Sequence, residues 1–387
     1  MNKNKRIMQV SKFVYILTIG IFASSLSAQN ETSSIINQVD SNIVISKREV
    51  SKKQENADEL LFETIRNGNT LEASTQLHSP FYYKTDKDGE TALTLAIKQK
   101  DVAMVKLLTE KAVINLKNAE GETPLTLALK SGEMDIVNLI IKRAKAALKN
   151  NKGETPLVLS FAYDDLFLVQ TLLNKGADPN AKSVGVTPLF AATQLGNINL
   201  VALLVKNKAL PNIPNDDGAI PLYAAVQKGS PILTGILLYK SPTPEVESNW
   251  KNEIGETLGN LAIIQGNEQI VRLLLDYGYD PDQIDYLENT GLLKATELGH
   301  ENIAMLFLIK GADPDIPNIM GTTPIMVAAK SSNSNLATTL ASYGANPEHQ
   351  NFEGIAANDF GNYTMNLTDS TLTDEIIEMT TEGEEQP

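Results

Sequence analysis

His78, His300 and His349 are the only imidazoles in this chain of 387 residues, and it contains no cysteine. Imidazole and thiolate supply most transition-metal ligands and many nucleophile–base pairs, and no two of these histidines have the spacing of a metal site. Without cysteine there is no thiol chemistry and no disulfide frame. Carboxylates gather at Asp280, Asp282 and Asp285, at Asp313 and Asp315, and in Asp86-Lys87-Asp88-Gly89. A calcium loop asks for a denser set of oxygens closed by a glutamate. Aspartates this far apart, beside Pro or Gly, read instead as side chains that close turns. The chain has no glycine-rich phosphate loop and no Gly-x-Ser-x-Gly elbow. The expectation is a protein that is not an enzyme, with no catalytic residue, no metal ligand and no cofactor.

What the chain has in place of reactive groups is periodicity. Gly121-Glu122-Thr123-Pro124-Leu125 recurs as Gly153-Glu154-Thr155-Pro156-Leu157, as Gly185-Val186-Thr187-Pro188-Leu189 and as Gly321-Thr322-Thr323-Pro324-Ile325. Anchored on the threonine, units one to eight fall at Thr91, Thr123, Thr155, Thr187, Ile220, Thr257, Thr290 and Thr323. The steps are 32, 32, 32, 33, 37, 33 and 33 residues. A period of this length marks a solenoid of stacked units, none of which can bury its apolar face alone. The glycine two residues before the anchor suits a tight turn. The threonine suits a helix N-cap and the proline the first helical position. A short apolar helix follows, with a small residue five after the anchor (Ala96, Ala128, Ala192, Ala225, Ala262, Ala295, Ala328) where two helices must approach closely. Gly132, Gly196, Gly229, Gly266 and Gly299 end it. A second helix carries stripes such as Ile198-Leu200-Val201-Leu203-Leu204 and Ile270-Val271-Leu273-Leu274-Leu275, and ends at turns such as Gly176-Ala177-Asp178-Pro179-Asn180.

With Gly-x-Thr-Pro-Leu, the alanine five residues on, the Leu-Leu pair and Gly-Ala-Asp, the chain resembles the ankyrin-repeat family over residues 58–361. The resemblance implies an all-α fold, an ankyrin-repeat solenoid of about eight full helix-turn-helix units with short β-hairpin-like loops. Degenerate caps would close it at Glu59 to Pro80 and at Gly354 to Gly361. It also implies protein binding. The family usually places His after Thr-Pro-Leu; here Thr94, Thr126, Val158, Phe190, Tyr223, Asn260, Leu293 and Met326 stand there. Unit seven has Glu288 for the glycine and Gly291 for the proline, and unit five has Ile220 for the capping threonine. A lost cap weakens a unit by on the order of 1 kcal/mol. The 37-residue step holds Ser241-Pro242-Thr243-Pro244-Glu245 and Ser248-Asn249-Trp250, read as prolines that stop unit five's second helix followed by a longer loop. That step either divides the domain into sub-blocks 58–240 and 252–361 or is a neutral surface insertion.

Lys3, Lys5, Arg6 and Lys12 lead an uncharged apolar run, Phe13 to Leu26, with small residues at Ser25, Ser27 and Ala28. This is the layout of a secretory signal peptide over 1–28, cut after Ser27 or Ala28. The run is shorter than the about 20 residues a spanning helix needs. The expected location is periplasmic or secreted, the other reading being an uncleaved N-terminal anchor. Residues 29–57 read as a polar, disordered linker with a short helical stretch near Ile43–Val50. Residues 362–387 read as an acidic tail with a capping segment near Leu372–Met379. The formal charge of −14 becomes −18 when the four cations of 1–28 are removed. Such a surface disfavours nucleic acid and anionic lipid and favours a partner with a basic patch. No stable membrane insertion is expected after cleavage, and the protein is expected to be a monomer.

On the family's rule, partner contacts come from the loop before each anchor and from the end of the first helix. Those places hold Glu90, Lys98, Glu122, Lys130, Glu154, Tyr163, Gln194, Gln227, Glu256 and Gln265, with Trp250 added from the irregular loop. Trp250 is the only tryptophan; it is either a binding hot spot or a plug between sub-blocks. The expected function is a non-enzymatic interaction scaffold in the bacterial envelope, holding one protein along its concave face and loop tips. Alternatives are a secreted effector acting on host proteins, or an accessory or immunity protein for an envelope or effector enzyme.

Overall fold

The computed structural model describes residues 44, 57–77, 84–111 and 113–360. The expected signal segment, most of the linker, the acidic tail and His78 lie outside the described residues. Residue 44, within the expected Ile43–Val50 stretch, is helical.

The chain forms two compact units, 1–113 and 114–387. In the first, residues 57–66 are helical and Thr70–Gln76 forms a helix capped by Asn69, whose side chain accepts from Glu72 N. Repeat unit one supplies Ala92–Lys98 and Val102–Lys111, which pack on each other, the second also on Thr70–Gln76. Arg66 pairs with Asp86 and Asp88, and Lys84 with Asp58, joining the degenerate cap to unit one's loop.

In residues 114–387, each first helix starts directly after its anchor. These are Pro124–Ser131, Pro156–Leu159, Pro188–Leu195, Pro221–Gln227, Leu258–Ile264, Gly291–Glu297 and Pro324–Lys330. The second helices are Met134–Ile141, Leu166–Asn174, Ile198–Lys206, Pro231–Lys240, Glu268–Asp276, Glu301–Ile309 and Ser334–Ser342. Within a unit the two helices pack together. Between units, first helix meets first helix, as Pro221–Gln227 meets both Pro188–Leu195 and Leu258–Ile264. The alanines five residues after the anchors are at most 1% exposed, and unit three puts fully buried Ser160 there. In that unit the first helix relaxes after Leu159 into a 3-10 turn, Ser160–Tyr163.

The threonine caps form as the sequence reads: Thr91, Thr123, Thr155, Thr187, Thr257 and Thr290 each accept the backbone N–H three residues on. Ile220 supplies no cap bond. Thr323 departs from expectation, because its buried hydroxyl makes no hydrogen bond. Nine residues after the anchor the backbone is left-handed even where glycine is missing: Lys100, Asp164 and Ser332 have φ of 57°, 49° and 58°.

The long loop expected after unit five is instead a short helix, Pro244–Ser248, with Pro244 at its first position. Its end restores the register of the stack. Asn249 Oδ1 accepts Asp280 N at 2.7 Å, the bond that Asn180 makes to Leu210 N (2.8 Å), Asp282 to Asp313 N (2.8 Å) and Asp315 to Asn346 N (2.7 Å). Among the described residues the loops show isolated bridges, such as Lys251 with Thr257 and Ile284 with Thr290, and no strand. No described helix is long and apolar enough to cross a membrane.

Candidate functional site

Seven of the eight loops that lead into a first helix are built round one side chain. Five residues before the anchor stands Asp86, Asn118, Asn150, Asn215, Asn252, Asp285 or Asn318. In unit two, Asn118 Oδ1 accepts Glu122 N at 2.8 Å, and Gly121 N donates to Asn118 O at 2.9 Å. The same pair of bonds closes the other six loops. With the loop's backbone satisfied from inside, the two residues after the Asx form its tip. Successive loops also bond edge to edge, as Asn151 N to Gly121 O (3.1 Å), Asp216 N to Gly185 O (3.0 Å) and Ile319 N to Leu287 O (3.1 Å). The sequence reading did not single out this Asx series, although its recurrence five residues before the anchor is visible in the chain.

The glutamate just before an anchor turns inward. Glu122 is 5% exposed, and its carboxylate accepts from Thr126 Oγ1 (2.8 Å), Asn150 Nδ2 (3.0 Å) and Lys130 Nζ (2.7 Å). Lys130 also pairs with Glu154 of the next unit. Burial by itself would raise the Glu122 carboxyl, but the donors Lys130, Asn150 and Thr126 hold it below the ordinary carboxylate range. Glu154 is lowered in the same way: Lys130 and Asn150 outweigh its burial. Burial would lower Lys130, and its two carboxylate partners raise it. In unit one, buried Glu90 accepts Lys98 Nζ at 2.6 Å. Glu90 and Glu122 were expected on the surface. They are buried because the Asx bond fixes the backbone at their own N–H, which aims the side chain at the lysine eight residues on.

The family model of three ankyrin repeats matches residues 61–150, 110–183 and 260–351, and that of a single ankyrin repeat matches 184–216. This chain belongs to the ankyrin-repeat family. No curated protein matches it. Ankyrin repeats are protein–protein interaction modules. In three of these ankyrin units the residue in the usual histidine place makes its own bond. Thr94 and Thr126 accept from Thr91 N and Thr123 N in reciprocal capping boxes, and Asn260 Nδ2 donates to Asp285 of the next unit at 2.8 Å.

The remaining expected contact residues are spread along the ankyrin stack of 114–360. Gln194, Gln227 and Gln265 are exposed at first-helix ends, and Gln265 Nε2 donates to Gln227 O at 3.1 Å. Glu256 is half-buried and accepts Asn252 Nδ2 at 2.9 Å. Tyr163 is half-buried, its hydroxyl donating to Leu129 O of the preceding unit at 2.6 Å. The Trp250 ring lies 5.0 Å from that of Tyr223 at 49°, and its Nε1 donates to Gly218 O at 3.3 Å. The clustered aspartates act as turn side chains: Asp280, Asp285 and Asp313 accept N–H groups two residues on. His300 stands at the start of Glu301–Ile309 and His349 in the turn after Ser334–Ser342. Among the described residues no group of three His, Asp or Glu could hold a metal ion.

Proposed function

We propose that this ankyrin-repeat chain is a non-enzymatic scaffold of a bacterial envelope or its exterior, holding one protein partner across its loop tips and first-helix ends. The observation that carries the reading is the Asx-closed loop. Each one spends its backbone hydrogen-bonding groups within the fold and presents the tip to solvent on a braced frame, the pre-organisation that makes binding inexpensive in entropy. The basic start and uncharged apolar run of residues 1–28 support export, and the acidic net charge supports a partner with a basic patch.

Affinity capture with the full chain from its native envelope, read by mass spectrometry, tests the function. A single enriched protein is expected. Capture of nothing beyond what a scrambled-loop variant retains would sink the scaffold reading. Fractionation tests the location, and a chain found only in the cytoplasm would overturn it.

A further inference from the structure

The loop tips are not alike along residues 114–360. In units two, three and five the tip pairs are Ala119-Glu120, Asn151-Lys152 and Asp216-Asp217, and unit four, whose loop lacks the Asx, exposes a single apolar side chain, Val184, at 64%. From unit six onward they turn apolar: Ile254, then Tyr286 and Leu287, then Ile319 and Met320, then Phe352 in the terminal cap. All six side chains are between 40% and 81% exposed. They are neighbours in space. A side chain on Gly255 would meet Tyr286 Cβ at 3.4 Å, Ile319 N donates to Leu287 O at 3.1 Å, and Phe352 N donates to Met320 O at 3.3 Å. Scattered surface hydrophobes are ordinary; a row of four adjoining tips in a soluble array marks a place that something covers.

Charge says what covers it. Residues 114–251 hold 14 Lys and Arg against 12 Asp and Glu, whereas residues 252–360 hold 4 against 15. The apolar tips stand in the acidic part, with exposed Glu253, Glu288 and Glu353 directly beside Ile254, Leu287 and Phe352. An anionic lipid surface or a nucleic acid would be repelled there. Resting on the scaffold reading above, we infer that the tips of units six to eight and of the terminal cap form a docking strip for a cationic amphipathic segment of a partner protein. The partner's apolar stripe covers the tyrosine, phenylalanine and aliphatic tips, and its flanking lysines or arginines meet the three glutamates.

The test uses the full chain and three synthetic peptides. One is a helix of leucine and lysine with an apolar stripe opposite a basic face, the second has glutamate for lysine, and the third is the first with its order scrambled. The leucine–lysine helix should bind and the other two should not. Tyr286→Ser/Met320→Ser/Phe352→Ser should raise its Kd at least tenfold with an unchanged circular-dichroism melt, since these side chains are exposed. Glu253→Gln/Glu288→Gln/Glu353→Gln, which leaves the apolar tips in place, should weaken binding and flatten its salt dependence. Equal binding by wild type and the serine variant, or by the scrambled peptide, overturns the strip. A natural partner captured equally by wild type and serine variant also overturns it, and leaves the scaffold reading standing. Failure to capture any partner falls on the scaffold reading, and the peptides still decide the strip.

Discussion

The hydroxyl of Tyr279 lies so close over Gly259 that a Cβ on the glycine would stand 2.3 Å from it. In unit six the leucine of Thr-Pro-Leu is Gly259 and the alanine of Gly-Ala-Asp is Tyr279. The tyrosine is 2% exposed, takes the space the leucine leaves and bonds Thr257 Oγ1 at 3.0 Å. Unit seven repeats the exchange. Gly291 stands where proline is usual, and a Cβ there would meet Phe307 at 2.3 Å. The Tyr279 and Phe307 rings then meet edge-on at 6.3 Å. The two departures from the repeat are exchanges of size between positions in one unit.

Gly259→Ala should therefore destabilise. Overpacking costs about 1–3 kcal/mol, against about 1 kcal/mol that alanine returns in helix propensity. Urea unfolding of Gly259→Ala, Tyr279→Ala and the pair should give a double-mutant loss smaller than the sum. Additive losses would mean that the two residues do not share this space.

Glu288→Gly should stabilise. Glu288 holds φ at 59°, where a side chain costs roughly 1–2 kcal/mol, partly offset by about 0.4–1 kcal/mol of extra freedom in the unfolded glycine chain. A net gain approaching 1 kcal/mol in urea unfolding is expected, and a loss would show that the glutamate side chain matters more than its backbone.

Thr187→Val and Thr323→Val should part company. The first removes a cap bond to Phe190 N and should cost about 1 kcal/mol. The second removes a buried hydroxyl that bonds nothing and should be neutral or stabilising. Equal losses in thermal melts would place a partner on Thr323 Oγ1.

Glu122 gives a pH signature. Its folded pKa and that of Glu154 are depressed, so their stabilisation is complete above the ordinary value of 4.5 and is lost as pH falls through the lower folded values. Lys130 is raised, so its contribution is complete below 10.5 and fades as pH rises beyond that. Glu122→Gln should lower the melting temperature at neutral pH and leave it less sensitive to acid than the wild type. Parallel acid profiles for the two proteins would show that the cluster carries no net stabilisation.

Trp250→Ala should weaken partner capture while shifting the melt only modestly. Its pairing with Tyr223 is worth about 0.5–1.5 kcal/mol. A large fall in melting temperature would assign the tryptophan to the frame instead.

The period made the anchors, caps and close-packed alanines legible, because each depends on backbone chemistry within a few residues. Ser160 and Asp164 show the reverse dependence: the unit's geometry is kept although alanine and glycine are absent, so position outranks residue type. Tyr279 was opaque since the glycine that admits it lies 20 residues earlier in the chain. Glu122 and Gln194 looked equivalent as surface positions and are not. The orientation of Glu122 is set by the Asn118 bond and by Lys130, whereas Gln194 lies at a first-helix end with an open side. Asn249 could not be read as the residue that restores register, because the insertion before it looked like a loop.

The short helix Pro244–Ser248 is fastened at both edges. Trp250 grips the Gly218 carbonyl on one side; on the other, Asn249 accepts Asp280 N and donates to Gly278 O at 2.8 Å. Units that touch only their neighbours carry load in series. Under tension along 114–360, ordinary units would peel away in increments of 32 or 33 residues, whereas this one would pay out 37. A force–extension trace would show it as one longer step, a ruler mark built into the chain.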